Sequence, residues 1–208
     1  MILIGQYDSP FVRRVAVALR LYEMEFEHRP WSTFGDGDKI APFNPLRRVP
    51  TLVLFDGEVL IDSAAILDFL DEEVGPSRAM LPPSGPARRA ALKVCALATG
   101  LADKAVALVY ERALHPQTSD MWLARCRGQI EAVLDALETS RAASNAPFWF
   151  GADISHADIA FACAWRFATE AHPGVVAPAR WPALGKAAAH CEALAVFDEI
   201  KQAFIPPS

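Results

Sequence analysis

The organisation of the chain changes at a proline-rich break, L-P-P-S-G-P, at residues 81–86. Before the break, short apolar runs alternate with amphipathic helical patterns, whereas only helical patterns follow it. A chain of this kind is expected to form a small α/β unit followed by an all-helical unit. We therefore predict a first domain over residues 1–78, a linker over 79–86 and a helical domain over 87–208.

The first 40 residues contain two predicted strands, over residues 2–5 and 25–29. Between them, apolar residues recur at i, i+3, i+4 and i+7, which predicts an amphipathic helix after Pro10; they are Val12, Val15, Ala16 and Leu19. Three arginines fall largely off this stripe: Arg13, Arg14 and Arg20. The Gly/Asp-rich stretch 34–39 is predicted to be a loop or a frayed short helix.

A hairpin is predicted next, because two apolar runs flank Asp56-Gly57. Asp62-Ser63 then precedes a helical apolar pattern, and both residue types favour a helix N-terminus. The element order is therefore βαβ followed by ββα. Since βαβ crossovers are right-handed, the first two strands should be parallel and the hairpin antiparallel, in a four-stranded mixed sheet.

The second half of the chain is predicted to contain five helices, over residues 87–114, 119–141, 156–170, 182–194 and 196–204. Ser155 lies at the N-cap of the third, with Asp158 at N3 as a shortened capping box. Ile154 and Ile159 are spaced as a hydrophobic staple. We assign this motif to folding and not to chemistry.

Composition argues against several classes of partner and site. The net charge of −5 gives no electrostatic case for nucleic acid or an anionic membrane. No apolar run reaches the length of a membrane span, and M-I-L-I-G at the start lacks the features of a signal peptide, so we expect a cytoplasmic protein. The four cysteines show no metal-ligand spacing, and we expect buried thiols and no metal site.

The dipeptide Ser9-Pro10 lies between the first predicted strand and the first helix. Pro10 at N1 makes Ser9 the N-cap residue, and the hydroxyl would ordinarily cap the N–H of Phe11 or Val12. A hydroxyl at a helix N-terminus is also well placed to stabilise a thiolate. Tyr7 is a second hydroxyl close by, although a packing role is expected for it. From these residues alone both roles of Ser9 remain open.

Five motifs together resemble the cytosolic glutathione S-transferase family, in particular its serine-type, bacterial-like members. They are S-P-F-V-R at 9–13, N-P-L-R-R-V-P-T-L at 44–52, D-G-E-V-L-I-D-S at 56–63, L-P-P at 81–83 and I-S-H-A-D-I-A at 154–160. The resemblance implies a thioredoxin-like N-terminal domain, which binds glutathione as co-substrate, and an all-α C-terminal domain, which contributes the acceptor pocket. It also implies a homodimer and a role in detoxification.

By this resemblance, Ser9 contacts the glutathione sulfur. Val49 precedes a cis-proline and pairs with the cysteinyl part of the tripeptide through its backbone, as an added strand. Asp62 and Ser63 hold the γ-glutamyl group, with the carboxylate at a helix N-terminus. Most family members have Glu-Ser there, so the shorter Asp62 should make a looser contact with the ammonium group.

Further site residues are expected in the loop before the hairpin and around the acceptor pocket. Arg48 or Lys39 could pair with the glycyl carboxylate, since both lie in the predicted loop region before the hairpin. Phe11 and Tyr110 are expected to line the acceptor pocket. Further candidates near the helical domain are Arg112, His115 and Trp165.

The predicted activity is conjugation of the glutathione thiolate to small hydrophobic electrophiles. Two alternatives use the same fold. The first is glutathione-dependent reduction of peroxide or disulfide, or isomerisation of a maleyl-type substrate. The isomerase branch tends to have Ser-Ser-Cys before its first helix, whereas this chain has Tyr-Asp-Ser. The second alternative is a binding module without turnover, but such relatives often lose the first-helix hydroxyl or the acidic-Ser pair.

Overall fold

The computed structural model describes residues 1–207. The part of the chain before the proline-rich break contains four short strands and three helices: β1 (Ile2–Ile4), α1 (Pro10–Leu21), β2 (Glu27–Arg29), α2 (Gly37–Ile40), β3 (Thr51–Val53), β4 (Val59–Ile61) and α3 (Ser63–Val74). The remainder is helical, with α4 (Gly85–Leu114), α5 (Asp120–Ala142), α6 (His156–Ala171), a 3₁₀ turn (Pro178–Arg180), α7 (Pro182–Glu192) and α8 (Ala195–Glu199).

The four strands form one mixed sheet in the order β2-β1-β3-β4. β1 is parallel to β2, and the β3–β4 hairpin is antiparallel and joins through β3. This confirms the predicted sheet, including the crossover through α1. The strands are shorter than predicted, and β2 begins at Glu27 because residue 27 is the first that pairs with β1.

The start of α4 and the end of α8 differ from the prediction. α4 begins at Gly85, within the predicted linker, because Pro86 fits its first turn. α8 ends at Glu199, so the helix predicted to reach residue 204 is wrong. Residues 201–207 instead run in non-helical conformation, with Phe204 and Ile205 donating their N–H groups to Glu170 and Asp8. Pro206 also disfavours helix at the residue before it.

The three arginines that fall largely off the predicted apolar stripe of α1 are not all exposed to solvent. Arg13 and Arg14 are buried, with 2% and 4% of their surface exposed, and Arg20 alone is exposed. The reason is that α1 lies between layers, since it packs on α3 on one side and on α6 on the other. A helix covered on both sides has no solvent side on which to place polar groups.

Arg13 connects α1 to the end of the helical half. Its Nη2 donates to Glu192 at 2.8 Å and to the Phe197 carbonyl at 2.8 Å. Its Nε donates to the Ile200 carbonyl at 2.7 Å. The guanidinium therefore neutralises one carboxylate and satisfies two carbonyls that helix α8 leaves unpaired.

Asp71 connects α3 to the proline-rich break and to α6. It accepts hydrogen bonds from the Tyr22 hydroxyl, from His156 Nε2 at 2.8 Å and from the Leu81 N–H at 3.2 Å. Burial acts to raise the pKa of Asp71, but the hydrogen bonds from His156 and Tyr22 outweigh it and hold the pKa below its ordinary value.

The expected capping interactions of α6 are confirmed. The Asp158 carboxylate accepts from the Ser155 N–H at 3.0 Å and from the Trp149 N–H at 2.7 Å. The four cysteines are free and buried, as predicted. Among residues 1–207, no helix combines the length and the hydropathy needed to cross a membrane.

We predict that Arg13→Met lowers the free energy of unfolding by about 3 kcal/mol, because the carboxylate and two carbonyls lose their donor in a buried site. Urea denaturation would measure the loss. Arg20→Met is the control on the same helix. The Arg20–Glu199 pair is 40% and 55% exposed, so its loss should cost under about 1 kcal/mol. Equal losses in the two variants would contradict a special role for Arg13.

We predict that Asp71→Asn destabilises the protein at neutral pH and flattens its acid unfolding profile. A carboxyl with a lowered pKa in the folded state contributes stability above its unfolded pKa of about 3.9. That contribution is lost as the pH falls through the lowered folded pKa. Chemical denaturation repeated from neutral pH down to about pH 3 would test this. A variant with the wild-type slope in that range would show that Asp71 is not the titrating group.

Candidate active site

A cleft of about 740 Å³ lies between one end of the sheet and the helical half of the chain. Its volume is in the range of small-molecule sites. One wall follows β1 and leads into α1, and the Val49 loop lies beside it because Ile4 pairs with Thr51. The opposite wall is formed by α4, α6 and the segment 204–207.

Gly5 allows the connection between β1 and α1 to approach the Val49 loop. A Cβ atom at this position would lie 2.5 Å from Val12 Cγ2 and 2.8 Å from Val49 Cβ. Gly5 also has φ +129, which side-chain-bearing residues rarely adopt. The close contact of β1, α1 and the Val49 loop therefore depends on the absence of a side chain here.

Ser9 lies in the cleft at the N-cap of α1. Its Oγ accepts from the Val12 N–H at 3.4 Å, so Ser9 caps the helix through a long hydrogen bond. Within residues 1–207, the Ser9 hydroxyl has no acceptor for its hydrogen, and the Phe11 N–H has no partner. One hydroxyl hydrogen and one helix N-terminal N–H thus remain available to a bound anion.

The Val49 loop presents unpaired backbone to the same cleft. The Val49–Pro50 bond is cis, as expected. Within the described residues, neither the N–H nor the C=O of Val49 has a hydrogen-bond partner. Asn44 stabilises this loop, because its buried amide donates to the Arg48 carbonyl at 2.9 Å and to Thr51 Oγ1 at 3.3 Å.

Asp62 and Ser63 lie at the same end of the sheet, because Ile61 pairs with Thr51 and therefore brings residue 62 beside Pro50. Asp62 adopts φ 72 and accepts from the Ala64 N–H at 2.8 Å. Ser63 is buried at the start of α3. The cap and the predicted ligand site therefore coincide at this helix N-terminus, although neither residue is among those lining the main cleft.

The two candidates for the glycyl carboxylate are placed differently. Arg48 lines the cleft and, within residues 1–207, forms no ion pair. Lys39 lies outside the cleft lining and pairs with Asp36 at 2.6 Å. Arg47, which sequence reasoning did not select, also lines the cleft and pairs with Asp38 at 3.0 Å.

The helical side of the cleft is apolar. Tyr110 and Phe11 both line it, and Tyr110 packs edge-to-face on Phe34 with ring centroids 5.3 Å apart. The further apolar lining residues are Val106, Val109, Phe167, Phe204, Ile205, Pro206 and Pro207. The segment 204–207 could not be expected here from the sequence, because its position depends on hydrogen bonds to residues distant in the chain.

The other sequence candidates lie outside the cleft lining. Trp165 is buried in the helical core, and Arg112 donates to the buried His172 at 3.1 Å. His115 pairs with Glu111 at 3.0 Å. Tyr7 stacks on His28 with ring centroids 3.8 Å apart, in agreement with a packing role.

Two carboxylates near the cleft were not selected from the sequence. Asp8 lines the cleft beside Ser9, and burial raises its pKa. Asp103 on α4 also has a pKa raised by burial, which the charge of Arg48 opposes. No residue pattern distinguishes them from ordinary surface carboxylates. Among residues 1–207, no group of three or more His, Cys, Asp or Glu residues is placed to hold a metal ion.

Comparison with known proteins gives matches over both halves of the chain. The profile described as "Glutathione S-transferase, N-terminal domain" matches residues 3–78, and the one described as "Glutathione S-transferase, C-terminal domain" matches residues 120–191. An uncharacterized GST-like protein of Escherichia coli, YibF, is 36% identical over 139 residues, covering 66% of this chain and 68% of that protein.

Two further proteins bear on the site. The crystal structure of a glutathione S-transferase from Methylobacterium radiotolerans, in complex with glutathione sulfonate, superimposes with a TM-score of 0.91 at 26% identity, covering 100% of this chain and 97% of the other. The maleylacetoacetate isomerase of Pseudomonas aeruginosa is 37% identical over 95 residues, covering 43% of this chain and 44% of that enzyme.

Proposed function

Because this chain belongs to the glutathione S-transferase family, we propose that it binds glutathione in the cleft and transfers the tripeptide's thiolate to a small hydrophobic electrophile. The observation that carries this proposal is the position of Ser9. Its hydroxyl faces the cleft at a helix N-terminus, with its hydrogen free to donate. That group is what activation of a thiol requires.

The energies involved are sufficient. An ordinary thiol has a pKa of about 8.5, and each unit of lowering corresponds to about 1.4 kcal/mol. A hydrogen bond to an anion contributes about 1.5–3 kcal/mol, and a helix N-terminus adds about 0.3–1 kcal/mol. Ser9 and the free Phe11 N–H together supply about 1.8–4 kcal/mol, which can lower the thiol pKa by at least about one unit. A protein base is not required.

The remaining groups support one orientation of glutathione. The unpaired backbone of Val49 is suited to the cysteinyl residue, which would add to the sheet edge as a short strand. The N-terminus of α3 at Ser63 is suited to the γ-glutamyl carboxylate. Arg48 is then the cation available to pair with the glycyl carboxylate, since Lys39 is already paired with Asp36.

In the conjugation step, the thiolate sulfur forms a bond to an electrophilic carbon. Either a leaving group departs with its electron pair, or an activated double bond accepts the electrons and is then protonated. Ser9 holds the sulfur as an anion until the bond forms, and the thiol proton passes to solvent. The apolar wall from Phe11 to Tyr110 holds the acceptor against the sulfur and excludes water.

A second candidate is glutathione-dependent isomerisation of a double bond, which the match to a maleylacetoacetate isomerase favours. In that reaction the thiolate adds to the double bond, the resulting single bond rotates, and the thiolate is expelled again. The two functions differ in stoichiometry, because conjugation consumes one thiol per turnover whereas isomerisation consumes none. Titration of free thiol during turnover separates them.

We predict that Ser9→Ala restores an ordinary thiol pKa to bound glutathione. In the wild-type protein, the ultraviolet absorbance of the thiolate should titrate about one to two pH units below that of free glutathione. With the variant, kcat/KM at neutral pH should fall about 10- to 25-fold, because only about 3% of a thiol with a pKa of about 8.5 is ionised at pH 7. Tyr7→Phe is the control, because it removes the neighbouring hydroxyl and should leave the titration unchanged. An unshifted pKa for the bound thiol in the wild-type protein would show that Ser9 acts only as a helix cap.

We predict that Arg48→Met weakens glutathione binding about tenfold. The substitution removes the cation that we propose to pair with the glycyl carboxylate, and this cation forms no ion pair within residues 1–207. Lys39→Met is the matched control, and its effect on the dissociation constant should be under about twofold, since Lys39 pairs with Asp36. Isothermal titration calorimetry measures both. A larger loss for Lys39→Met than for Arg48→Met would reverse the assignment.

A further inference from the structure

The charged residues that line the cleft come from two segments of the chain. Arg47 and Arg48 immediately precede Val49, and Asp8 immediately precedes Ser9 and faces residue 205. These three are the formally charged residues among those lining the cleft within residues 1–207. The segment before Val49 is therefore cationic, whereas the segment before Ser9 carries a single carboxylate next to residue 205.

No cation neutralises Asp8 within the described part of the chain. Its Oδ2 accepts from the Ile205 N–H at 3.2 Å, and it takes part in no ion pair. The nearby acidic residue Glu170 adds to the negative potential and already has a partner, because Arg166 lies 2.9 Å from it. Arg166 is also shared with Glu192, at 3.2 Å.

The surroundings of Asp8 strengthen its field. Phe11, Phe167, Phe204 and Ile205 line the same part of the cleft, and burial raises the pKa of Asp8. A charge next to apolar side chains is screened less than a charge in water, so its effect on a bound molecule is larger. An anionic group placed here would meet a carboxylate that no cation neutralises within residues 1–207.

We propose that Asp8 selects the acceptor substrate by charge, so that the site takes apolar electrophiles that are uncharged or cationic and rejects those that carry a carboxylate. This inference rests on the proposed function, because it concerns the second substrate of the same cleft. It also disfavours a maleyl-type dicarboxylate as substrate, since two carboxylates would lie in the half of the cleft that holds Asp8.

A simpler role for Asp8 is to anchor the segment at Ile205 through its hydrogen bond. The substitution Asp8→Asn separates the two roles. An asparagine carbonyl still accepts a hydrogen bond from the Ile205 N–H, whereas the negative charge is gone. Asp153→Asn is the matched control, because Asp153 is exposed and outside the cleft and its replacement changes the net charge by the same amount.

The test uses two electrophiles of nearly equal shape, a chlorodinitrobenzamide and the corresponding chlorodinitrobenzoate, each with chlorine between the two nitro groups. In both, the glutathione thiolate bonds to the chlorine-bearing carbon and chloride leaves with its electron pair. The quantity compared is kcat/KM for the benzoate divided by kcat/KM for the benzamide. Differences in intrinsic reactivity cancel when this ratio is compared between variants.

We expect Asp8→Asn to raise this ratio about tenfold over the wild-type value, because one weakly screened negative charge is removed. Asp153→Asn should leave it within about twofold, because an exposed distant charge is screened. A ratio that is the same in wild type and Asp8→Asn, or that rises equally in the control, would overturn the inference and leave Asp8 as an anchor.

A binding measurement keeps the inference testable if the proposed function itself fails. Fluorescence titration with anionic anilinonaphthalene sulfonate and uncharged N-phenylnaphthylamine reports on the apolar cleft without glutathione. Asp8→Asn should tighten the sulfonate about tenfold relative to the uncharged probe. If calorimetry shows no glutathione binding while this shift is present, the conjugation proposal fails and charge selection stands. If glutathione binds and neither ratio changes, charge selection fails alone.

Discussion

The placement of the candidate site depends on one buried cation, Arg13 of α1. Its guanidinium binds Glu192, which also contacts Arg166, and Arg166 in turn pairs with Glu170. Glu170 accepts the N–H of Phe204 at the rim of the cleft. A chain of alternating charges thus runs from the helix that Ser9 caps to the segment that forms the opposite wall. Each member offsets the desolvation of the next, which a single buried ion pair does poorly.

This arrangement couples two segments that are distant in sequence. Ser9 stands at the start of α1, four residues before Arg13, and the wall at 204–207 follows α8, whose carbonyls Arg13 also binds. The width of the cleft is therefore determined by the same contacts that fold α1 against the helical half. Asp71 has the corresponding role at the other end, where it joins Tyr22, His156 and the proline-rich break.

Features encoded by neighbouring residues were predictable from the sequence. The Asp56-Gly57 hairpin, the helix start at Pro10 and the Ser155 cap each depend on chemistry within a few residues, and the structure contains all three. The burial of Arg13 and Arg14 was not predictable, because helical periodicity assumes one covered face and α1 has two. The position of Phe204 and Ile205 depends on acceptors more than thirty residues away, so local helical patterning gave the wrong conformation.

The residues of the candidate site likewise divide into those that were predictable from sequence motifs and those that were not. Ser9, Val49 and the Asp62-Ser63 pair belong to motifs. The strand register brings the Val49 loop and the Asp62-Ser63 pair together at one end of the sheet, beside the end of β1 that leads to Ser9. Asp8 belongs to no motif, and its position next to Ser9 has an electrostatic cost, because a carboxylate raises the pKa of a neighbouring thiol. The Ser9 hydroxyl, the free Phe11 N–H and the two cleft arginines act in the opposite direction. A negative charge beside the proposed thiolate is therefore best explained by the charge selection that we propose for the second substrate.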